Sequence, residues 1–243
     1  MNMSSEGDRV GLDTLAGARG STDGRSAGRA AGAARRRRVE TNTVVDELTL
    51  NAWCAEIETD PTRIRTRFPA AAREIGRTPG TSPEPGAERV EDDVRVSLLL
   101  ALGRGLAGDP DTLSAEVHDL YRFGDADERR AVLLGLGRLA DAIGDRAVDL
   151  LHDALRTNDP RLVAAAMGTY AARLDPAAWR QAVLKCLFVG VPLRLVAGVE
   201  DRADDELRRM VADYAAERRA AGREVPADAL PFLPAPTQTT RES

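Results

Sequence analysis

The 243-residue chain is poor in aromatic residues, which make up 4% of it, and it holds two cysteines, two histidines and a single lysine, Lys185. With so few rings, a core must be filled by aliphatic groups packed closely. Cys54 and Cys186 lie far apart, with no C-x-x-C pair and no histidine beside either. That usage excludes a disulfide scaffold and a zinc knuckle, and it fits two reduced, buried thiols in a cytoplasmic protein. No run of eighteen apolar residues exists to be read as a membrane span. H-E-x-x-H, G-x-S-x-G and Walker-type phosphate loops are also missing, so neither a metal nor a cofactor is expected.

Alanine and arginine are what the chain has instead: 40 alanines, and 33 arginines among its 34 basic residues. Both favour helix, and small alanine side chains let helix axes approach. Charge is uneven. Residues 1–40 carry a net +3 and residues 41–243 a net −8. The acidic part is a poor partner for nucleic acid phosphates, and no specific nucleic acid binding is expected.

The reading divides the chain into a Gly/Ala/Arg-rich disordered leader over 1–42, one helical domain over 43–230, and a disordered tail over 231–243. The leader ends in Arg35, Arg36, Arg37 and Arg38. The plain reading of this run is a solvated tail with no role; the sharper one is a nucleic-acid or acidic-lipid patch, making weak contact with an anionic membrane surface. It is no twin-arginine export signal, because a polar stretch follows it where an apolar one is needed. A leader translated upstream of the true start is the third reading.

From Thr43 onward the pattern is helix after helix. Val44, Val45, Leu48, Ala52 and Trp53 suggest a first apolar stripe. Asp60-Pro61, Asp109-Pro110, Asp159-Pro160 and Asp175-Pro176 mark four helix starts. Aspartate accepts the orphan amides there, and proline gives up an N–H that would be unpaired anyway. Further helices are expected near 88–107, 111–122, 126–141, 145–156, 160–172, 176–189 and 202–221. Short connections between them predict an all-α fold of antiparallel helical hairpins, stacked as a HEAT-like α-solenoid, with essentially no strand. Trp53, Trp179, Tyr170 and Phe188 are expected in the core.

Several clusters invite chemistry. Gly135-Leu-Gly137-Arg-Leu-Ala140 matches a dinucleotide fingerprint, but no strand precedes it, and two glycines admitting a neighbouring helix explain it better. Asp149, His152 and Asp153 share a helix face without a further ligand, which favours a surface histidine paired to Asp149. Asp92-Asp93 and Asp204-Asp205-Glu206 read as acids complementing helix N-termini. Arg122, Asp125, Arg129, Arg156, Asn158 and Arg161 gather at inter-helix turns, where forked guanidiniums on one edge could bind carboxylate or phosphate. Ordinary capping and salt bridging is the plainer account of them. Lys185 sits in the most apolar helix, and there a buried amine would gain nucleophile or base character, while a snorkelling or singly paired lysine is the plainer reading.

Leu120-Tyr-Arg-Phe-Gly-Asp125 with Glu128-Arg129, Ala154 to Gly168 with Tyr170-Ala171, Ala178-Trp179-Arg180, Val183 to Leu193, and Arg209-Met210 with Tyr214-Ala215 resemble the EboA family of bacterial helical proteins. Phe68-Pro69-Ala70-Ala71 and the Val94 to Leu102 helix fit as well, so the likeness spans about 44–230. The family's Cys-Gly pair is absent at Glu74-Ile75-Gly76. The resemblance implies service in a small-molecule biosynthesis or export pathway, and it supplies no catalytic residues. The resulting expectation is a binding or scaffold module, not an enzyme. Its partners would be proteins of the same pathway or an anionic small molecule, bound through Arg122, Asp125, Arg129, Arg156, Asn158, Arg161 and Lys185. The alternative is a Lys185-dependent isomerase or lyase acting on a sugar-like substrate.

Overall fold

The computed structural model describes residues 46–78 and 84–233, all within one compact unit, Thr41–Ser243. The arginine run at 35–38, Val44 and Val45 lie outside the described residues. Ten α-helices account for most of what is described: α1 (Glu47–Thr59), α2 (Ile64–Glu74), α3 (Val90–Gly105), α4 (Pro110–Phe123), α5 (Ala126–Ile143), α6 (Val148–Arg156), α7 (Pro160–Ala166), α8 (Pro176–Val189), α9 (Val199–Arg202) and α10 (Asp205–Ala220). Short 3-10 turns stand at Pro61–Arg63, Thr169–Arg173, Leu193–Leu195 and Ala227–Phe232, and no strand occurs among the described residues.

All four Asp-Pro pairs start helical segments. Asp60, Asp109, Asp159 and Asp175 accept hydrogen bonds from the amides of Thr62, Thr112, Arg161 and both Ala177 and Ala178, and each proline follows at the first helical position. Asp204 caps α10 in the same way, accepting from the Leu207 amide. α5 opens with a capping box: the Asp125 side chain accepts from Glu128 N and the Glu128 side chain from Asp125 N.

α3 and α5 lie side by side at the centre. α1 and α2 cover α3, while α4 and α7 cover α5. α6 and α8 pack on α7, α10 touches α8, and the terminal 3-10 turn closes on α10. The two glycines of α5 face neighbours directly. A Cβ on Gly135 would meet Leu99 of α3, and one on Gly137 would meet Thr169. The fingerprint-like motif is therefore a mid-helix packing device, and no strand–turn precedes it.

The structure corrects several expectations. Phe188 is 71% exposed, whereas Trp53, Tyr170 and Trp179 are buried as expected. The first stripe is also displaced: Leu48 is 84% exposed and Ala52 faces out, while Trp53 and Ile57 point inward with Leu50 and Cys54 beside them. The helix expected over 160–172 stops at Ala166 and resumes after Gly168 as a 3-10 turn. Packing reaches Phe232, which is buried, inside the stretch expected to be tail.

Candidate functional site

The turn between α4 and α5 and the C-terminal end of α6 frame a depression of about 500 Å³. Arg122, Arg129 and Arg156 line it, with Tyr121, His118 and Asp153. The basic C-terminal turns of α4 and α6 place Arg122 and Arg156, and cations suit that position because helix carbonyls end there unpaired. Arg129 reaches back across the turn, donating from Nε to Gly124 O at 3.1 Å and from Nη2 to Arg122 O at 3.3 Å. It also stands 5.5 Å over the Tyr121 ring.

Among the described residues, no carboxylate lies within ion-pair range of Arg122 or Arg129. Arg156 is paired to Asp153 at 3.2 Å, and the Tyr121 hydroxyl donates to the same carboxylate at 3.0 Å. Burial, followed by that neighbouring carboxylate, pushes the Tyr121 phenol well above its ordinary range, so the ring remains a neutral donor. At the depression's edge His118 bridges α4 to α6, with Nδ1 2.7 Å from Ser114 O and Nε2 3.0 Å from Asp149 Oδ1. The histidine paired to Asp149 is thus His118 and not His152; the helix-spanning partner wins over the local one. Among the described residues no cluster of His, Cys, Asp and Glu is arranged to hold a metal.

The other expected site residues stand elsewhere. Asp125 lines a second depression, of about 340 Å³, with Arg73, Arg77 and Arg95. Arg161 is tied to Asp159 at 2.7 Å and to Asp127 at 3.0 Å. Lys185 and Asn158 meet each other, Nζ donating to Oδ1 at 2.7 Å. Lys185 is half-buried on its apolar helix, which is the singly paired arrangement and not an amine sealed in the core.

A buried charged layer escaped the sequence reading. Glu91, Asp92, Arg95, Glu116 and Arg130 are all buried. Asp92 is ion-paired with Arg130 from the neighbouring helix, so it does more than complement a helix start. Arg130 also donates to Ala87 O at 2.8 Å, while Glu91 accepts from the Thr78 amide at 2.8 Å, which ties Ala87 to α5 and Thr78 to α3. Arg89 and Arg161 share Asp127. Burial and then repulsion from Arg89 and Arg161 lower the Arg130 guanidinium to about 10. The only signal for this layer is acids and arginines at apolar-face spacing on α3, α4 and α5.

A third depression, of about 270 Å³, joins the first two. It is lined by Phe68, Pro69, Leu120 and Phe123, shares Asp119 with the first, and shares Pro69 and Glu128 with the second. Phe123 is 77% exposed at its rim.

No curated protein and no solved structure matches this chain. The family model described as metabolite traffic protein EboA matches residues 71–234, more than half of the chain and all of the three depressions except Arg65, Phe68 and Pro69, and the chain belongs to that family.

Proposed function

We propose that this chain is a non-catalytic helical module of a cytoplasmic metabolite-handling pathway, which binds an anionic intermediate, or the pathway enzyme carrying it, in the Arg122–Arg129–Arg156 depression. Its helices would stack as HEAT-like hairpins from a single domain beginning near residue 43, with the turns offering one edge. One observation carries this reading: Arg122 and Arg129 line the same depression and neither has a carboxylate within ion-pair range among the described residues. A guanidinium held by backbone carbonyls, as Arg129 is, keeps its fork pre-organised for a carboxylate or phosphate. The family description adds the metabolite context. Asn158, Arg161 and Lys185 would shape the neighbouring surface.

Affinity purification from the native cell tests the reading, with metabolites and proteins identified by mass spectrometry. The wild-type chain should enrich an acidic metabolite or a pathway protein that Arg122→Ala/Arg129→Ala does not. Equal recovery by both removes the depression from consideration. Borohydride trapping of the same extract should leave Lys185 unmodified; an adduct there would favour the enzyme reading.

A further inference from the structure

The second depression contains a guanidinium that the fold leaves incompletely satisfied. Arg95 is 3% exposed, on the central helix α3. Its Nε donates to Phe68 O at 3.2 Å, and Nη2 lies 3.8 Å from Glu128 Oε1. Its Nη1 is buried and has no hydrogen-bond partner. Pro69, next to the accepting carbonyl, and Glu128 line the depression together with Arg95, whose guanidinium lies against the Phe68 carbonyl and the Glu128 carboxylate. A buried unpaired donor is costly, and such a donor facing a depression is satisfied by what enters it.

Four carboxylates also line this space, and each already has a partner. Glu91 accepts from the Thr78 amide, Asp125 and Glu128 each give one oxygen to the capping box of α5, and the other Glu128 oxygen faces Arg95. Asp127 is held between Arg89 and Arg161. On the positive side, Arg77 has no carboxylate within ion-pair range among the described residues, and Arg73 reaches only the exposed Glu74, at 3.4 Å.

We infer that the Arg77–Arg95 depression is a second binding site, separate from the Arg122–Arg129 one, and that it takes the oxyanion of a small metabolite, a carboxylate or a phosphate. Arg95 Nη1 supplies the buried donor, and Arg77, which lines the same depression, supplies a second guanidinium. The backbone-held Arg95 guanidinium is oriented before the anion arrives, which spares part of the ordering cost of binding.

The test is nuclear magnetic resonance of the full ¹⁵N-labelled chain at constant ionic strength. The Arg95 Nε–Hε signal, held by the Phe68 carbonyl, is followed during separate titrations with inorganic phosphate and with acetate. At least one of the two anions should move it; which one does identifies the oxyanion. Arg77→Ala, an exposed change that the fold tolerates, should weaken that binding roughly tenfold, as expected for a lost charge-assisted hydrogen bond. Arg122→Ala/Arg129→Ala should leave it unchanged, which separates this site from the first. The inference is overturned if neither anion moves the signal up to roughly ten millimolar, a range that covers weak sites. It is equally overturned if chloride reproduces the shift, if Arg77→Ala binds as wild type does, or if the double variant abolishes the response.

Discussion

Gly135 of α5 lies so close to Leu99 of α3 that a Cβ on the glycine would stand 2.6 Å from Leu99 Cδ1. Leu99 is fully buried, so it has little room to withdraw. Alanine is the better helix former by about 1 kcal/mol, yet overpacking a filled core costs about 1–3 kcal/mol. Gly135→Ala should therefore leave stability unchanged or lower it by up to about 2 kcal/mol. Urea unfolding measures this, and a clear stabilisation would show that α3 and α5 are looser than described.

The Asp92–Arg130 pair joins the same two helices in the interior. Removing one charge strands the other in a medium that solvates it poorly, and losses of about 3–5 kcal/mol are typical of such breaks. Asp92→Asn should cost stability on that scale. Asp92→Leu/Arg130→Leu should cost clearly less than the two single changes added together, because neither charge is then left alone. A double-mutant cycle by urea unfolding decides the point, and simple additivity would show that the two side chains do not interact.

Half of the fold is written in local chemistry. Asp-Pro pairs declare helix starts because the capping oxygen and the missing N–H act within one turn, and all four do so here. Face assignment was harder where apolar residues crowd one helix. On α8 the buried residues Trp179, Ala182, Val183, Cys186 and Leu187 follow spacings of three and four, and Phe188 falls off that row. The resemblance spans about 44–230, whereas the family match begins at 71. Arginine partners could not be read at all. With 33 arginines among 39 acids, pairing depends on which helices meet, so Arg161 finds Asp127 and Arg122 finds none. The turn-clustered arginines accordingly separated into a shared depression for Arg122, Arg129 and Arg156 and local pairings for the rest.

Cys186 and Cys54 are free thiols on different helices. Burial pushes Cys186 up to about 12, and burial likewise raises the half-buried Cys54, with Arg104 opposing. At pH 8 only about one Cys186 in ten thousand would be thiolate, the form that reacts. Iodoacetamide should leave Cys186 unlabelled in the native chain and modify Cys54 slowly, while both react in urea. Rapid native labelling of Cys186, read by peptide mass spectrometry, would place it nearer the surface than α8 allows.

Acid should unfold the chain through its helix caps. Hydrogen bonds from Thr112 lower Asp109, and those from the Ala178 and Ala177 amides lower Asp175; Asp60 and Asp204 shift the same way. A carboxyl whose folded value lies below its unfolded one, about 3.9 for Asp, gives its full stabilisation above that value and loses it as pH falls through the folded value. Asp93, raised by burial and then by Glu88, works the other way and offsets part of the loss. The urea midpoint should accordingly be steady from about pH 7 to 5 and drop below about pH 4. Asparagine caps a helix nearly as well as aspartate but does not titrate. Asp109→Asn/Asp175→Asn should thus match the wild-type midpoint near neutrality and fall less steeply in acid. If the double variant loses as much as the wild type between pH 5 and 3, the acid sensitivity belongs to other carboxylates and not to the Asp-Pro caps.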